Sequence, residues 1–393
     1  MLFYYFFIFK LIIKEIVKML PRQYFPLGKA YDPAFCNRTE ETETLLGNIQ
    51  NGKHSFLAAP RRYGKSSLCE KVLALSGLPH VTVDLHLATS EKNLERLILK
   101  GILELIGKAV SSIDKALQVV KYGFKNLKPK LAYEVYGFRL ELEIINQQAS
   151  VPETLREALL FLESLLAEKK QMAVLVLDEF QRVAELGANM GIEGGIRSAA
   201  QETRYLSFIF SGSNRHLIES IFQDAGRPLY KLCKKIKLQR IFETHYRDHL
   251  NIAAQEQWKK PLEEDVFQAI MNLTERHPYY VNYLCDALWT LCSKKLPKIE
   301  DVESSWILII EEERSDLLRE FFSLGEAQKK LLKYLATHAD SGIYTAEASE
   351  LMELPSTSIP NALQALLSRD LLEDLGGKKY LVINPAYRIL LRE

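Results

Sequence analysis

The segment Met172–Phe180, MAVLVLDEF, is an unbroken aliphatic run that ends in two acids, Asp178 and Glu179. A strand with one wet face alternates polar and apolar residues, whereas an unbroken run reads as a strand buried on both faces. Four other segments read as strands: one ending in residues 53–60, HVTVDL at 80–85, LSFIFSGS at 206–213 and KKIKLQRI at 234–241. Helical patterns separate them at 65–75, 91–110 and 153–168. Strands alternating with helices predict an α/β fold, with a parallel sheet covered by helices on both faces.

The first strand runs into Ala59-Pro60-Arg61-Arg62-Tyr63-Gly64-Lys65-Ser66-Ser67, and a helix follows. This matches the phosphate-loop pattern G-x-x-x-x-G-K-[ST] except that Ala59 stands for the first glycine. A loop that wraps backbone N–H groups around phosphate needs a residue without a Cβ at its tight turn, which Gly64 supplies. The helix beginning near Lys65 directs its positive end at the anion. Lys65 would add a full charge at the β- and γ-phosphates, and Ser66 a hydroxyl for Mg²⁺. A Gly-Lys-Ser triplet alone is a weak signal; its place between a strand and a helix gives it weight.

Asp178 and Glu179 close a buried strand, and ligands of open α/β sheets bind at the carboxyl ends of strands. Asp178 is placed to hold Mg²⁺ and Glu179 to orient and polarise an attacking water. At the end of the next strand, Ser211, Ser213 and Asn214 stand where a γ-phosphate sensor would sit. A tight Ser-Gly-Ser-Asn turn is the structural alternative.

Beyond residue 242 the strand pattern stops. Residues 243–320 read as helices, a candidate lid. Residues 321–393 give three helices and two short strands around Gly376-Gly377, the order of a winged helix. The ATPase core thus spans 21–242, with an insertion at 114–150. The insertion is lysine-rich in its first part, with Lys115, Lys121, Lys125, Lys128 and Lys130, and hairpin-like or bent in its second. The first twenty residues are apolar but interrupted by Lys10, Lys14, Glu15 and Lys18, too short a run to span a bilayer. Three readings fit them: a translation-start artefact with Met19 as the true start, an interfacial amphipathic helix, or a segment packed on the body. Five cysteines without a CxxC pair fit a reducing, cytoplasmic compartment, and none has zinc-ligand spacing.

PRRYGKSSL, VLVLDEFQ, FIFSGSN, RPLYKLCKKIKL and HPYYVNYL, in this order and preceded by FCNRTEE, resemble the AAA+ superfamily of P-loop NTPases (the ASCE division). The likeness is to its STAND-like group of archaeal-type ATPases. The resemblance covers about residues 22–393 and implies ATP and Mg²⁺ as ligands. It assigns Lys65 and Ser66 to Walker A, Asp178 and Glu179 to Walker B, and Ser213 or Asn214 to sensor 1. Arg38 would lie near the adenine-side entrance. His277-Pro278 resembles the lid motif that closes over the nucleotide, with Arg276 in place of its glycine, so that Arg276 itself is a candidate phosphate contact. Arg215, Arg227 and Arg240 are arginine-finger candidates by position only.

Charge bears on partners. The chain carries 51 Lys and Arg against 50 Asp and Glu, which excludes a uniformly basic nucleic-acid coat. Residues 326–393 hold eight basic and nine acidic residues. The third helix of the winged helix, Ser356 to Leu367, has no basic residue, and Lys378 and Lys379 in the wing are its best phosphate contacts. DNA binding through this domain or through the basic insertion is therefore not the favoured reading, and Lys231, Lys234, Lys235, Lys237 and Arg240 form a second basic stretch. The expected function is ATP hydrolysis that drives or switches a conformational change. The alternatives are a low-turnover nucleotide-loaded scaffold, self-associating or bound to a protein partner, and an ATP-dependent DNA-binding protein of a mobile-element or defence system.

Overall fold

The computed structural model describes residues 23–109, 127–134, 137–144, 150–187, 190–338 and 342–392. The apolar first twenty residues, and Lys115, Lys121 and Lys125 of the insertion, lie outside them. The chain divides into two compact units. A sheet unit comprises Thr39–Arg61 and Leu68–Leu238; a helical unit comprises residues 23–38, Arg62–Ser67 and the chain from Gln239 on.

The first half of the chain runs α1 (Thr39–Gln50), β1 (Ser55–Ala58), α2 (Lys65–Ser76), β2 (His80–Asp84), α3 (Glu91–Ala109), β3 (Leu127–Glu134) and β4 (Gly137–Ile144). There follow α4 (Val151–Lys169), β5 (Ala173–Asp178), α5 (Arg182–Leu186), α6 (Gly191–Ala200), β6 (Leu206–Gly212), α7 (Arg215–Gln223) and β7 (Lys234–Lys237). Five of these strands pair in parallel in the order β2-β5-β6-β1-β7, while β3 and β4 form a separate antiparallel hairpin. The unbroken aliphatic run of β5 is explained by its place: it lies between β2 and β6, and both alternating sets of its side chains are buried. Across one face, Val83, Leu177, Phe210 and Phe56 stand in one row of the register. They join the core formed with Leu94, Ile98, Leu159 and Ile196 of the covering helices. In the same register Asp84, Asp178, Gly212 and Ala58 share one edge of the sheet, the carboxyl ends of four strands.

One buried carboxylate fixes where β6 begins. Glu163 of α4 accepts the backbone N–H groups of Arg204 (2.7 Å), Tyr205 (3.1 Å) and Leu206 (3.0 Å). Glu163→Ala leaves these donors unpaired, and an unsatisfied buried donor costs about 1–3 kcal/mol. We expect the sheet unit to lose about 3 kcal/mol, read as a lower urea midpoint by far-ultraviolet circular dichroism. Fluorescence would miss it, because Trp258, Trp289 and Trp306, the three tryptophans of the chain, all belong to the helical unit.

The helical unit contains α8 (Glu243–Trp258), α9 (Glu264–Thr274), α10 (Pro278–Leu291) and α11 (Ile299–Phe322). It ends with α12 (Glu326–Thr337), α13 (Ala346–Leu351), α14 (Ile359–Ser368), the antiparallel pair β8 (Leu372–Gly376) and β9 (Lys379–Val382), and α15 (Tyr387–Leu390). Three helices followed by a hairpin is the order read from the sequence. These C-terminal elements share one continuous core with α8–α11, including Tyr280, Trp289, Trp306, Leu331, Leu366 and Tyr387. Tyr387 donates its hydroxyl to the Leu317 carbonyl (3.2 Å) and to Glu320 (2.7 Å), fastening α15 to α11. No helix among the described residues is long and apolar enough to cross a membrane.

Candidate active site

The phosphate loop leaves the sheet edge at Ala58 and reaches α2 at Lys65. Ala59 is fully buried, so its methyl group fills space in the core. Gly64 has φ +88°, a backbone conformation that a side chain strains, which is why the loop keeps glycine here. Lys65 is the first residue of α2 and is 8% exposed. Of the two serines after it, Ser67 has its hydroxyl engaged by the Ala30 N–H (2.9 Å), while Ser66 is half-buried. Pro60 is buried and Arg61 exposed.

The loop tip sits within the helical unit, where most of its sequence-singled neighbours gather. Tyr63 is buried, its ring meeting His277 edge-on at 4.9 Å between centroids. Arg38 donates to the Tyr63 carbonyl (3.3 Å), and Arg240 Nε donates to the Tyr63 hydroxyl (3.3 Å). Arg62 lies 3.9 Å over the Tyr279 ring and pairs with Glu313 (3.3 Å), which also accepts from the Tyr280 hydroxyl (2.5 Å). His277 caps α10, and Pro278 takes its first turn, where a missing N–H costs nothing. Arg276 precedes them with φ 60° and has no ion pair among the described residues.

Burial, with repulsion from Arg240 and Arg62, pushes the His277 imidazole well below its usual range; burial likewise lowers His249. Both are therefore neutral in the fold. An unfolded imidazole takes up a proton near pH 6.5 and these do not, so the folded state binds fewer protons below that value. The stability of the helical unit should be full above about pH 6.5 and fall as the pH drops below it. Tryptophan-monitored urea midpoints at about pH 7.5 and 5.5 measure the slope, and His249→Phe with His277→Phe should flatten it.

The second cluster belongs to the sheet unit. Asp178 is the last residue of β5, and its Oδ1 accepts from Ser211 Oγ of β6 (2.5 Å) and from the Glu179 N–H (3.0 Å). No hydrogen bond reaches its Oδ2 among the described residues. Glu179 has φ 54°, a conformation rare outside glycine, which turns its side chain off the strand direction. Its Oε2 accepts from Ser213 Oγ (2.7 Å) and from Gln181 Nε2 (2.5 Å). Ser213 thus reaches Glu179. Asn214 instead caps α7, its Oδ1 accepting the Leu217 N–H (3.1 Å). Gln181 closes the VLVLDEFQ segment that carries the resemblance, but the sequence assigns it no role, because no periodicity or spacing ties it to Glu179.

One oriented carboxylate suits Mg²⁺, a hard cation that keeps several waters and takes its other ligands from phosphate oxygens. No group of three or more His, Cys, Asp or Glu that would hold a more fully protein-bound ion stands together among the described residues.

Of the arginine-finger candidates, Arg227 forms a bidentate pair with the buried Glu193, and Arg240 pairs with Glu275 (2.7 Å). Arg215 is 8% exposed. Arg240 also drops out of the basic stretch read at 231–240, since its side chain is buried.

The same architecture occurs in solved structures. The Walker-type ATPase PABY2304 of Pyrococcus abyssi superposes with a TM-score of 0.65 at 17% identity, covering 93% of this chain and 98% of that one. The ORC2 protein of Aeropyrum pernix, in ADPNP–ADP complexes, superposes with a TM-score of 0.53 at 12% identity, covering 93% and 95%. The fold is that of the AAA+ P-loop ATPases. No protein-family model matches the sequence, and no curated protein does.

Proposed function

We propose that this chain binds ATP with Mg²⁺ and hydrolyses it to ADP and phosphate, and that the cycle switches the conformation of its lid and winged helix. The observation that carries the reading is the pair of oriented carboxylates at the end of β5. They stand on the sheet edge from which the phosphate loop departs. Lys65 and the loop amides hold the phosphates, with Arg38, Tyr63, His277 and Pro278 on the nucleoside side and Arg276 as the cation of the lid. Ser66 and Asp178 are the residues that would hold Mg²⁺, and the ion would neutralise charge on the phosphates. Glu179 orients a water onto the γ-phosphorus. The bond from that phosphorus to the bridging oxygen breaks, and ADP leaves with the oxygen. Ser213 is the sensor group, tied directly to Glu179.

The switching role is supported by how the loop tip is fastened. Arg240, which holds the Tyr63 hydroxyl, also donates to the Val382 (3.2 Å) and Ile383 (2.9 Å) carbonyls beside β9. A change at the loop tip is therefore felt at the wing. Direct DNA binding has less support, since the C-terminal residues carry one more acid than base. Phosphate release by the wild type beside Glu179→Gln tests the enzyme. Equal, slow rates would leave a nucleotide-loaded scaffold. Size-exclusion with light scattering, with and without ATP, tests self-association.

A further inference from the structure

We infer that Gln181 is a positioning residue for Glu179, holding the carboxylate in the orientation it uses on water; this rests on the hydrolytic role proposed above for Glu179. Gln181 Nε2 donates to Glu179 Oε2 at 2.5 Å and lies 3.4 Å from Ser213 Oγ, which donates to the same oxygen. Two donors converging on one oxygen fix the carboxylate torsion, and with it the direction in which Oε1 faces. The amide can stand only one way round. Reversed, it would bring its oxygen against an ionised oxygen, lone pair to lone pair.

Two locally unfavourable choices support the assignment. Gln181 is 4% exposed, and its Oε1 is buried without a hydrogen-bond partner. An unpaired buried acceptor costs stability, and leucine of similar volume would avoid the cost. Gly212 closes β6, a position where glycine forfeits packing and chain entropy. A Cβ there would come within 2.2 Å of Gln181 Oε1. The glycine makes room for the glutamine, and the glutamine gives up an acceptor to bring its N–H₂ to Glu179. Sequences that sacrifice stability in this way do so at functional positions.

The test compares wild type, Glu179→Gln, Gln181→Leu and Gly212→Ala in steady-state ATP turnover, with melting temperature alongside. Gln181→Leu should lower kcat by roughly tenfold to a hundredfold with KM for ATP little changed, because Gln181 acts through the carboxylate alone. Its melting temperature should hold or rise, since an unsatisfied acceptor is removed. Gly212→Ala should reproduce the kcat loss with the glutamine still present. Wild-type kcat in Gln181→Leu, or a fall in kcat matched by a fall in melting temperature and a rise in KM, overturns the inference while Glu179→Gln remains slow. Equal rates in wild type and Glu179→Gln overturn the hydrolytic reading itself, and this inference with it.

Discussion

Glu179→Gln should retain ATP and lose turnover by roughly a hundredfold to ten-thousandfold, the range spanned by a positioned general base. The substitution keeps size and an acceptor oxygen, so the donors Ser213 and Gln181 still have a partner. What it removes is the negative charge that polarises the water. Binding should survive, because the phosphates are held by Lys65 and the loop amides. Lys65→Ala inverts the pattern. Lys65 is 8% exposed at the first turn of α2, and alanine removes its positive charge from the start of that helix. Ligand that binds only the folded state raises its stability, so the ATP-induced rise in melting temperature should persist in Glu179→Gln and vanish in Lys65→Ala. A Lys65→Ala protein that is stabilised by ATP as strongly as wild type would remove the phosphate-loop assignment.

Arg240→Ala should cost the helical unit about 3–5 kcal/mol, the range for breaking a buried, hydrogen-bonded ion pair. All three guanidinium nitrogens are used. Nε donates to Tyr63, Nη1 to the Glu275 carbonyl (2.8 Å) and carboxylate (2.7 Å), and Nη2 to the Val382 and Ile383 carbonyls. Alanine leaves the Glu275 carboxylate with Arg388 as its remaining cation and strands the carbonyls beside β9. Arg240→Lys keeps the charge but cannot serve three directions from one ammonium, so it should fall between. Trp258, Trp289 and Trp306 all report this unit, and urea titration followed by their fluorescence measures the change. ATP affinity should weaken in parallel, because Tyr63 of the loop loses its hydrogen bond. Unchanged affinity in a destabilised protein would separate the arginine's structural task from any coupling to nucleotide.

Particular elements show where sequence reading reached. β5 was legible because burial on both faces leaves an unbroken aliphatic run, β6 is likewise buried throughout, and the helices α3 and α4 were legible by period. The turn between β1 and α2 was legible because Gly64 stands where the backbone takes a positive φ. The roles of Arg240 and Gln181 were not legible. Arg240 sat in a basic stretch that read as a solvated face, and only its pairing with Glu275, 35 residues away, takes it out of water. Ser213 and Asn214 were equal candidates until the fold gave one to Glu179 and the other to the start of α7.

The sequence by itself determined the fold class, the five strands of the parallel sheet, the helices at 91–110 and 153–168 and the helical run after residue 242, because each rests on local composition or periodicity. The short helices at 39–50, 191–200 and 215–223 were not read from it. Only the tertiary structure decided the strand order β2-β5-β6-β1-β7, the partners of Glu179 and the link from Tyr63 through Arg240 to Val382 and Ile383. Those depend on pairings between residues distant in the chain. Such contacts are set by which surfaces meet when the core closes, and they leave no periodic trace in the segments that make them.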